Sequence, residues 1–187
     1  MPRLDRYWNK VNGVSLLLLP LSLIFGAVAG IRRLGYRLGV WRTQRFPVPV
    51  IVVGNITVGG TGKTPLVSWL ARHLRRLGWR PGIVSRGYGG KATQWPQQVR
   101  ADSDPASVGD EAVMLAALTG CPMCVGPDRP ATVQALLAHT DANIVISDDG
   151  MQHYALARDL EIAVIDGERR LGNAFLLPAG PLREPKS

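Results

Sequence analysis

Residues Gly54-Asn55-Ile56-Thr57-Val58-Gly59-Gly60-Thr61-Gly62-Lys63-Thr64-Pro65 stand between an apolar run, Val48 to Val53, and a helical pattern, Leu66 to Leu77. A strand, a glycine-rich loop, Gly-Lys-Thr and a helix in that order make a phosphate-binding loop. Glycines let the chain curl so that successive N–H groups of Thr57, Val58, Gly59, Gly60, Thr61 and Gly62 point at one anion, and the helix amino end adds partial positive charge. Lys63 would reach the β- and γ-phosphates of a nucleotide, and the Thr64 hydroxyl would ligate Mg²⁺. The strict pattern wants glycine five residues before Gly62, where this chain has Thr57. Gly59 and Gly60 are placed to supply that flexibility. A glycine-rich hairpin with a chance Gly-Lys-Thr is the competing reading, and the flanking strand and helix argue against it.

Three further loops carry groups able to do chemistry. The apolar run Asn143 to Ser147 ends in Asp148 and Asp149. Adjacent carboxylates repel, and sit more easily beside a cation such as one held by Thr64; a plain Asp-Asp-Gly turn is the alternative. Gly109-Asp110-Glu111 opens a helix, where helix capping alone would account for both acids. Ser85-Arg86-Gly87-Tyr88-Gly89-Gly90 is flexible and basic; Arg86 either meets a phosphate or caps a strand end. Cys121 and Cys124 lack a second Cys or His pair at zinc spacing and read as core cysteines in a reducing cytoplasm.

Positioning these groups requires an alternating chain. Strands are expected at Val48 to Val53, Pro81 to Ser85, Pro122 to Val125, Asn143 to Ser147 and Leu160 to Ile165. Helices are expected at Leu66 to Leu77, Asp110 to Leu118 and Arg129 to Ala138. The alternation predicts an α/β fold, P-loop NTPase-like, with a mostly parallel sheet and helices on both faces, ligands lying at the strand carboxyl ends. Gly87 to Pro105 reads as a long surface loop and candidate lid.

The charge is unevenly spread. The 187 residues carry a net +8, and residues 1–45 hold eight Lys or Arg against Asp5 alone. The body from residue 46 to residue 187 is therefore nearly neutral, which argues against nucleic acid as a partner. Between Lys10 and Arg32 lie 21 uncharged residues. At ~1.5 Å per residue such a helix would just match a ~30 Å hydrocarbon core. The basic flank disfavours a cleaved signal peptide. A spanning helix and an interfacial helix, with arginines at the headgroups and Trp8 and Trp41 near the boundary, are both open, as is a buried core helix. The domains expected are a membrane anchor over residues 1–45 and a kinase-like core over 46–187.

Taken together, Gly-Asn and Gly-Gly-Thr-Gly-Lys-Thr-Pro (54–65), Ser-Arg-Gly-Tyr-Gly-Gly (85–90), Gly-Asp-Glu (109–111), Asp-Asp-Gly-Met-Gln-His (148–153) and Leu-Pro-Ala-Gly-Pro-Leu-Arg-Glu-Pro (177–185) resemble, in order, the tetraacyldisaccharide 4′-kinase family. The resemblance covers essentially the whole chain. It implies transfer of the ATP γ-phosphate to the 4′-hydroxyl of tetraacyldisaccharide 1-phosphate, giving lipid IVA, at the cytoplasmic face of a bacterial inner membrane. It implies Asp110 as general base and Lys63 and Arg183 at the phosphates. Thr64, Glu111, Asp148, Asp149 and Glu184 would lie at or near Mg²⁺. The role of His153 stays open between orienting the Asp-Asp loop and a structural part. Membrane lipid is an implied partner, and no protein partner is evident.

The family continues past this chain's end into a second lobe. The expectation is a complete nucleotide site, an incomplete acceptor site and doubtful activity alone. Two rivals are a membrane-tethered ATPase switch, indifferent to loss of Asp110, and a non-catalytic nucleotide-binding remnant. No Leu-Ser-Gly-Gly-type signature supports a transporter ATPase, and a soluble-acceptor kinase would leave the apolar leader unexplained.

Overall fold

The structure is a computed structural model describing residues 4–185. The chain forms two compact units. One comprises the described parts of Met1–Arg42, Asn55–Thr61 and Ala163–Ser187; the other comprises Thr43–Gly54 and Gly62–Ile162. The contacts thus group the leader with the glycine-rich loop and the carboxyl-terminal segment, whereas the sequence suggested a single division after residue 45.

In the first unit the apolar leader is broken into α1 (Gly13–Leu17) and α2 (Leu19–Arg37). Asn12 caps α1, its side-chain oxygen accepting the Ser15 N–H at 3.0 Å. Leu18 ends one helix and starts the next, and Pro20 sits in the first turn of α2, where a missing N–H does no harm. Among the described residues no helix is long and apolar enough to cross a membrane. The physical reason is length. The uncharged part of α2 runs only from Leu19 to Ile31, about 20 Å at ~1.5 Å per residue, before Arg32 and Arg33 interrupt it.

Nor is α2 a core helix. Its buried residue is Ser22, whose hydroxyl donates to the Leu176 carbonyl at 2.8 Å. A Cβ on Gly26 would come within 2.7 Å of the Leu176 side chain, so the small face of the helix lies against residues 173–179. Asn173 adds side-chain N–H donation to Ser15 Oγ and the Ala179 carbonyl, and the Trp8 indole donates to the Pro178 carbonyl. Leu21, Leu23, Ile24, Val28 and Ile31 are exposed. The helix thus turns Ser22 and Gly26 inward and most of its large apolar side chains outward.

The second unit holds most of a six-stranded sheet. In chain order its elements are β1 (Val50–Gly54), α3 (Lys63–Arg76), β2 (Pro81–Ser85), β3 (Gln97–Val99), α4 (Pro105–Val108), α5 (Asp110–Thr119), β4 (Met123–Val125), α6 (Arg129–His139), β5 (Ile144–Asp148) and β6 (Leu160–Ala163). The strand order is β3-β4-β2-β5-β1-β6. The pairs β1–β5, β2–β5 and β2–β4 are parallel, and β3–β4 is antiparallel. The sheet is mostly parallel, as the alternation predicted.

β1 and β5 are buried throughout, which is why they read as continuous apolar runs rather than alternating ones. Val50, Val52, Val84, Cys124 and Val145 share one cluster with Val133 and Leu136 of α6. The alternate residues face the other way, toward α3 and α5. α3 buries Val67, Leu70, Ala71 and Leu74 at helical spacing and exposes Arg72, Arg75 and Arg76. Both cysteines are free and buried, with burial pushing both thiols up in pKa.

The stretch Gly87 to Pro105 is not wholly loop. Residues Gln97–Val99 form the antiparallel edge strand β3, and α4 begins at Pro105. A Gln-Gln-Val strand has no apolar alternation to announce it; its pairing with the buried β4 decides the matter.

Candidate active site

The carboxyl ends of β1 and β5 lie side by side, Val53 opposite Asp148 in the register. In an open parallel sheet a strand-order reversal opens a crevice at such a point. Here β1 leads through α3 to β2, while β5 leads the other way to β6. α3 starts from Gly62 at φ +77°, with no side chain capping its amino end. An uncapped amino end leaves backbone N–H groups for an anion. The Lys63 ammonium lies 3.4 Å from Asp149 Oδ1, the lysine mostly buried and the aspartate about a third exposed.

Asp148 is the most perturbed carboxyl in this group. Burial, the Asp149 charge and the Glu111 charge push its pKa up to about 6, against the pull of Lys63 and Arg129. Its Oδ1 is buried without a hydrogen-bond partner among the described residues. Asp149 adopts φ +50°, a left-handed conformation that side chains rarely occupy, immediately after the strand. Strain and an unsatisfied carboxylate thus meet at one strand end, an arrangement that a bound cation would relieve.

A buried arginine backs this strand end. Arg129 is 1% exposed and donates to the Gly126 carbonyl at 2.9 Å and the Asp148 carbonyl at 3.0 Å. Burial lowers its pKa to about 10, although Asp148 and Asp149 hold the charge on. Sequence reasoning missed it. The available signal was a cation in the first turn of α6, where the helix dipole favours an acid.

Asp110 and Glu111 open α5, and both are exposed. Capping does not account for Asp110. The cap position is Gly109, and Asp110 Oδ1 accepts the N–H of Glu111 at 2.9 Å. Gly109 sits at φ +95°, and a Cβ there would run into the Tyr88 carbonyl. The loop Arg86 to Gly90 therefore packs on the residue preceding Asp110. Arg86 is exposed and near enough to Arg129 to act on it electrostatically.

His153 contributes through its backbone, donating to the Gly150 carbonyl and accepting from Arg158 at 2.7 Å. Arg158 also donates to the Met151 and Leu156 carbonyls and to Glu161. The turn after the Asp-Asp pair is thus gathered by a guanidinium that the sequence reading did not single out.

The loop Asn55 to Thr61 belongs to the first unit. Thr57 is buried and bridges Leu182 in extended conformation; Gly59, at φ +115°, takes the bend, as Gly62 does at the helix. Glycine is therefore needed at positions 59 and 62, and not at 57. Val58 N–H donates to the Pro181 carbonyl at 2.8 Å, and Arg183 N–H to the Ile56 carbonyl at 2.7 Å. The Asn55 side chain donates to the Gly59 carbonyl at 3.2 Å. These bonds place Arg183 and Glu184 alongside the loop. Glu184 Oε1 and Thr61 Oγ are buried without hydrogen-bond partners among the described residues.

Lys63, Thr64, Asp110, Glu111, Asp148 and Asp149 thus fall in one unit, and Thr57 to Thr61, Arg183 and Glu184 in the other. Among the described residues no three carboxylate, imidazole or thiolate groups gather as a metal cage would require. That departs from a five-residue ligand set. It still suits Mg²⁺, which takes one or two carboxylates and completes its shell with water and substrate phosphates.

Fold and site together define a class: an α/β protein with a glycine-rich loop feeding an uncapped helix and an aspartate pair on the neighbouring strand. A profile of the family described as tetraacyldisaccharide-1-P 4′-kinase matches residues 14–187. The chain belongs to that family. It is 60% identical over 97% of its length to the tetraacyldisaccharide 4′-kinase of Nitrosococcus oceani, covering 54% of that protein. It is 62% identical to that of Alkalilimnicola ehrlichii over 89% of this chain and 50% of the relative. A solved structure of LpxK from Aquifex aeolicus, in complex with ATP, superimposes with a TM-score of 0.82 at 34% identity, over 92% of this chain and 55% of that one. The chain spans about half the length of these relatives.

Proposed function

We propose that this chain carries the nucleotide-handling part of an ATP-dependent kinase. Its acceptor is the 4′-hydroxyl of tetraacyldisaccharide 1-phosphate and its product lipid IVA. The observation that supports it most is the buried, partnerless Asp148 oxygen at the end of β5, in a cluster with Lys63 and Asp149. Family membership and the ATP in the Aquifex aeolicus complex point the same way.

In this reading the amides of Gly59 to Gly62 and of the α3 amino end cradle the triphosphate, while the Val58 N–H, expected there from the sequence, is instead held by the Pro181 carbonyl. Lys63 holds the β- and γ-phosphates, its approach to Asp149 giving way to the nucleotide. Asp148 and Thr64 are the residues that would hold Mg²⁺, with Asp149, Glu111 and Glu184 adding negative charge around it. When bound, Mg²⁺ supplies neutralisation of the charge on the transferring phosphoryl group. Asp110, exposed at the start of α5, receives the proton of the sugar hydroxyl, and Arg183 offsets charge on the phosphates. The exposed apolar face of α2 rests in the interface of the inner membrane on its cytoplasmic side. The basic residues around it meet anionic headgroups there, and a lipid acceptor is presented without leaving the bilayer.

The test is transfer of label from γ-labelled ATP to the glycolipid in detergent, with nucleotide binding measured in parallel and Asp110→Ala beside the intact sequence. Labelled lipid lost in the variant supports the whole reading. Nucleotide binding without labelled lipid supports the nucleotide half and assigns transfer to a longer chain. No nucleotide binding overturns the proposal.

A further inference from the structure

The first unit contains a cavity of about 250 Å³ that borders the glycine-rich loop at Thr57, Val58, Gly60 and Thr61, and whose other walls have no role above. Its walls include Arg6 and Trp8 from the segment before α1, Thr61 from the glycine-rich loop, and Arg169 and Arg170 from the turn after β6. The charge balance is one-sided. Asp166, the acid on the wall, has its Oδ1 engaged by the backbone N–H groups of Glu168 at 3.0 Å and Arg169 at 2.7 Å. Arg169 acts on Asp166 electrostatically, and among the described residues neither Arg169 nor Arg170 forms a salt bridge. The Arg169 guanidinium would lie 3.6 Å from a Cβ on Gly59, which places it against the loop. The Thr61 hydroxyl is buried without a hydrogen-bond partner.

We propose that this cavity is a phosphate subsite for a lipid headgroup, in addition to the cradle at the amino end of α3. Guanidinium groups bind phosphate oxygens in pairs, and three of them around one cavity with one committed acid select an anion. The volume falls below the ~300–1,000 Å³ usual for whole small-molecule ligands, which suits a headgroup better than an entire nucleotide. The lipid source follows from the wall. Arg6 and Trp8 lead directly into α1 and α2, whose leucines point outward, and tryptophan is at home at the headgroup level. The phosphate can come from an acidic phospholipid or from the 1-phosphate of the proposed acceptor. The phospholipid arm does not depend on kinase activity, so the two ideas fail separately.

The experiment is co-sedimentation of the full chain with phosphatidylcholine vesicles doped with phosphatidic acid, with tetraacyldisaccharide 1-phosphate, or with a carboxylate lipid of equal charge. Replacing both Arg169→Gln and Arg170→Gln is expected to weaken binding to phosphate-bearing vesicles roughly 10- to 30-fold. Lysine at both positions restores part of it, and binding to the carboxylate vesicles changes far less. Loss on both phosphate lipids assigns a general headgroup site; loss on the glycolipid alone assigns the acceptor. Arg72→Gln with Arg76→Gln, on the exposed face of α3, removes the same charge and should leave binding within about twofold. Three results overturn the proposal: unchanged binding in the Arg169/Arg170 variant, equal loss in the α3 variant, or loss of ATP affinity without loss of lipid. Arg6→Gln reads the same cavity from its other wall if the double variant does not fold.

Discussion

Asp148 joins stability and function in one side chain. Its carboxyl titrates near 6 in the folded chain and near 4 when unfolded. The folded state therefore holds that proton more tightly. The stability this gives is fully present below about pH 4 and is lost as pH rises through about 6. Asp148→Asn imitates the protonated form at every pH. Without nucleotide and Mg²⁺, the variant should match the native chain near pH 4 and exceed it by about 1–3 kcal/mol at pH 7.5. Urea unfolding across that range measures the difference, and a gap that does not change with pH would show that burial of the carboxylate is not felt. The same substitution should abolish stabilisation by Mg²⁺ and ATP. Lys63→Met should lower ATP affinity roughly 10- to 100-fold, read by nucleotide titration, because a charge-assisted contact to the phosphates is lost. Asp148→Asn thus loses binding while stabilising the empty protein at neutral pH, which separates a binding defect from a folding defect.

At the scale of elements, Arg129 ties α6 to the end of β5. Arg129→Met would leave the Gly126 and Asp148 carbonyls buried without donors, and should cost about 2–4 kcal/mol in urea unfolding. If stability is instead unchanged, the guanidinium is not the strut the geometry describes. The sequence made β1, β2, β5, α3 and α5 legible because burial there is uniform or strictly periodic, and an uninterrupted Val-Ile-Val-Val run has few other uses. Lys63 and the Asp148–Asp149 pair were legible for a related reason: they sit at element ends that the pattern itself marks. Arg129 and Arg158 were not, since they act on carbonyl groups whose positions only the folded chain fixes. β3 was hidden because Gln97 and Gln98 carry no pattern. Thr57 looked like a defect in the phosphate loop, yet it lies in extended backbone bridged to Leu182, while the left-handed bends fall on Gly59 and Gly62. The sequence left the leader open between spanning, interfacial and core readings, because a count of uncharged residues does not show the break at Leu18 that leaves no helix long enough to span among the described residues.

At the scale of the whole molecule, the exposed apolar face of α2 is what the proposed interfacial placement rests on. Leu23 and Ile24 of α2 are 67% and 61% exposed, and Leu17 at the end of α1 is 79% exposed, far more apolar surface than helices packed only against their own unit would show. Each side chain gains roughly 1.5–3 kcal/mol when fully transferred out of water, and interfacial binding scales with the apolar area so buried. Leu23→Ser with Ile24→Ser should therefore reduce partitioning onto neutral phosphatidylcholine vesicles at least about tenfold. The melting temperature should stay unchanged, because neither side chain fills the core. Neutral vesicles matter to the argument. They remove the attraction between arginines and anionic headgroups, so the measurement reads the apolar face alone and leaves the phosphate subsite to its own test. Unchanged partitioning with an unchanged melting temperature would refute the interfacial reading of α2. A lowered melting temperature would show that these side chains already have partners in the fold.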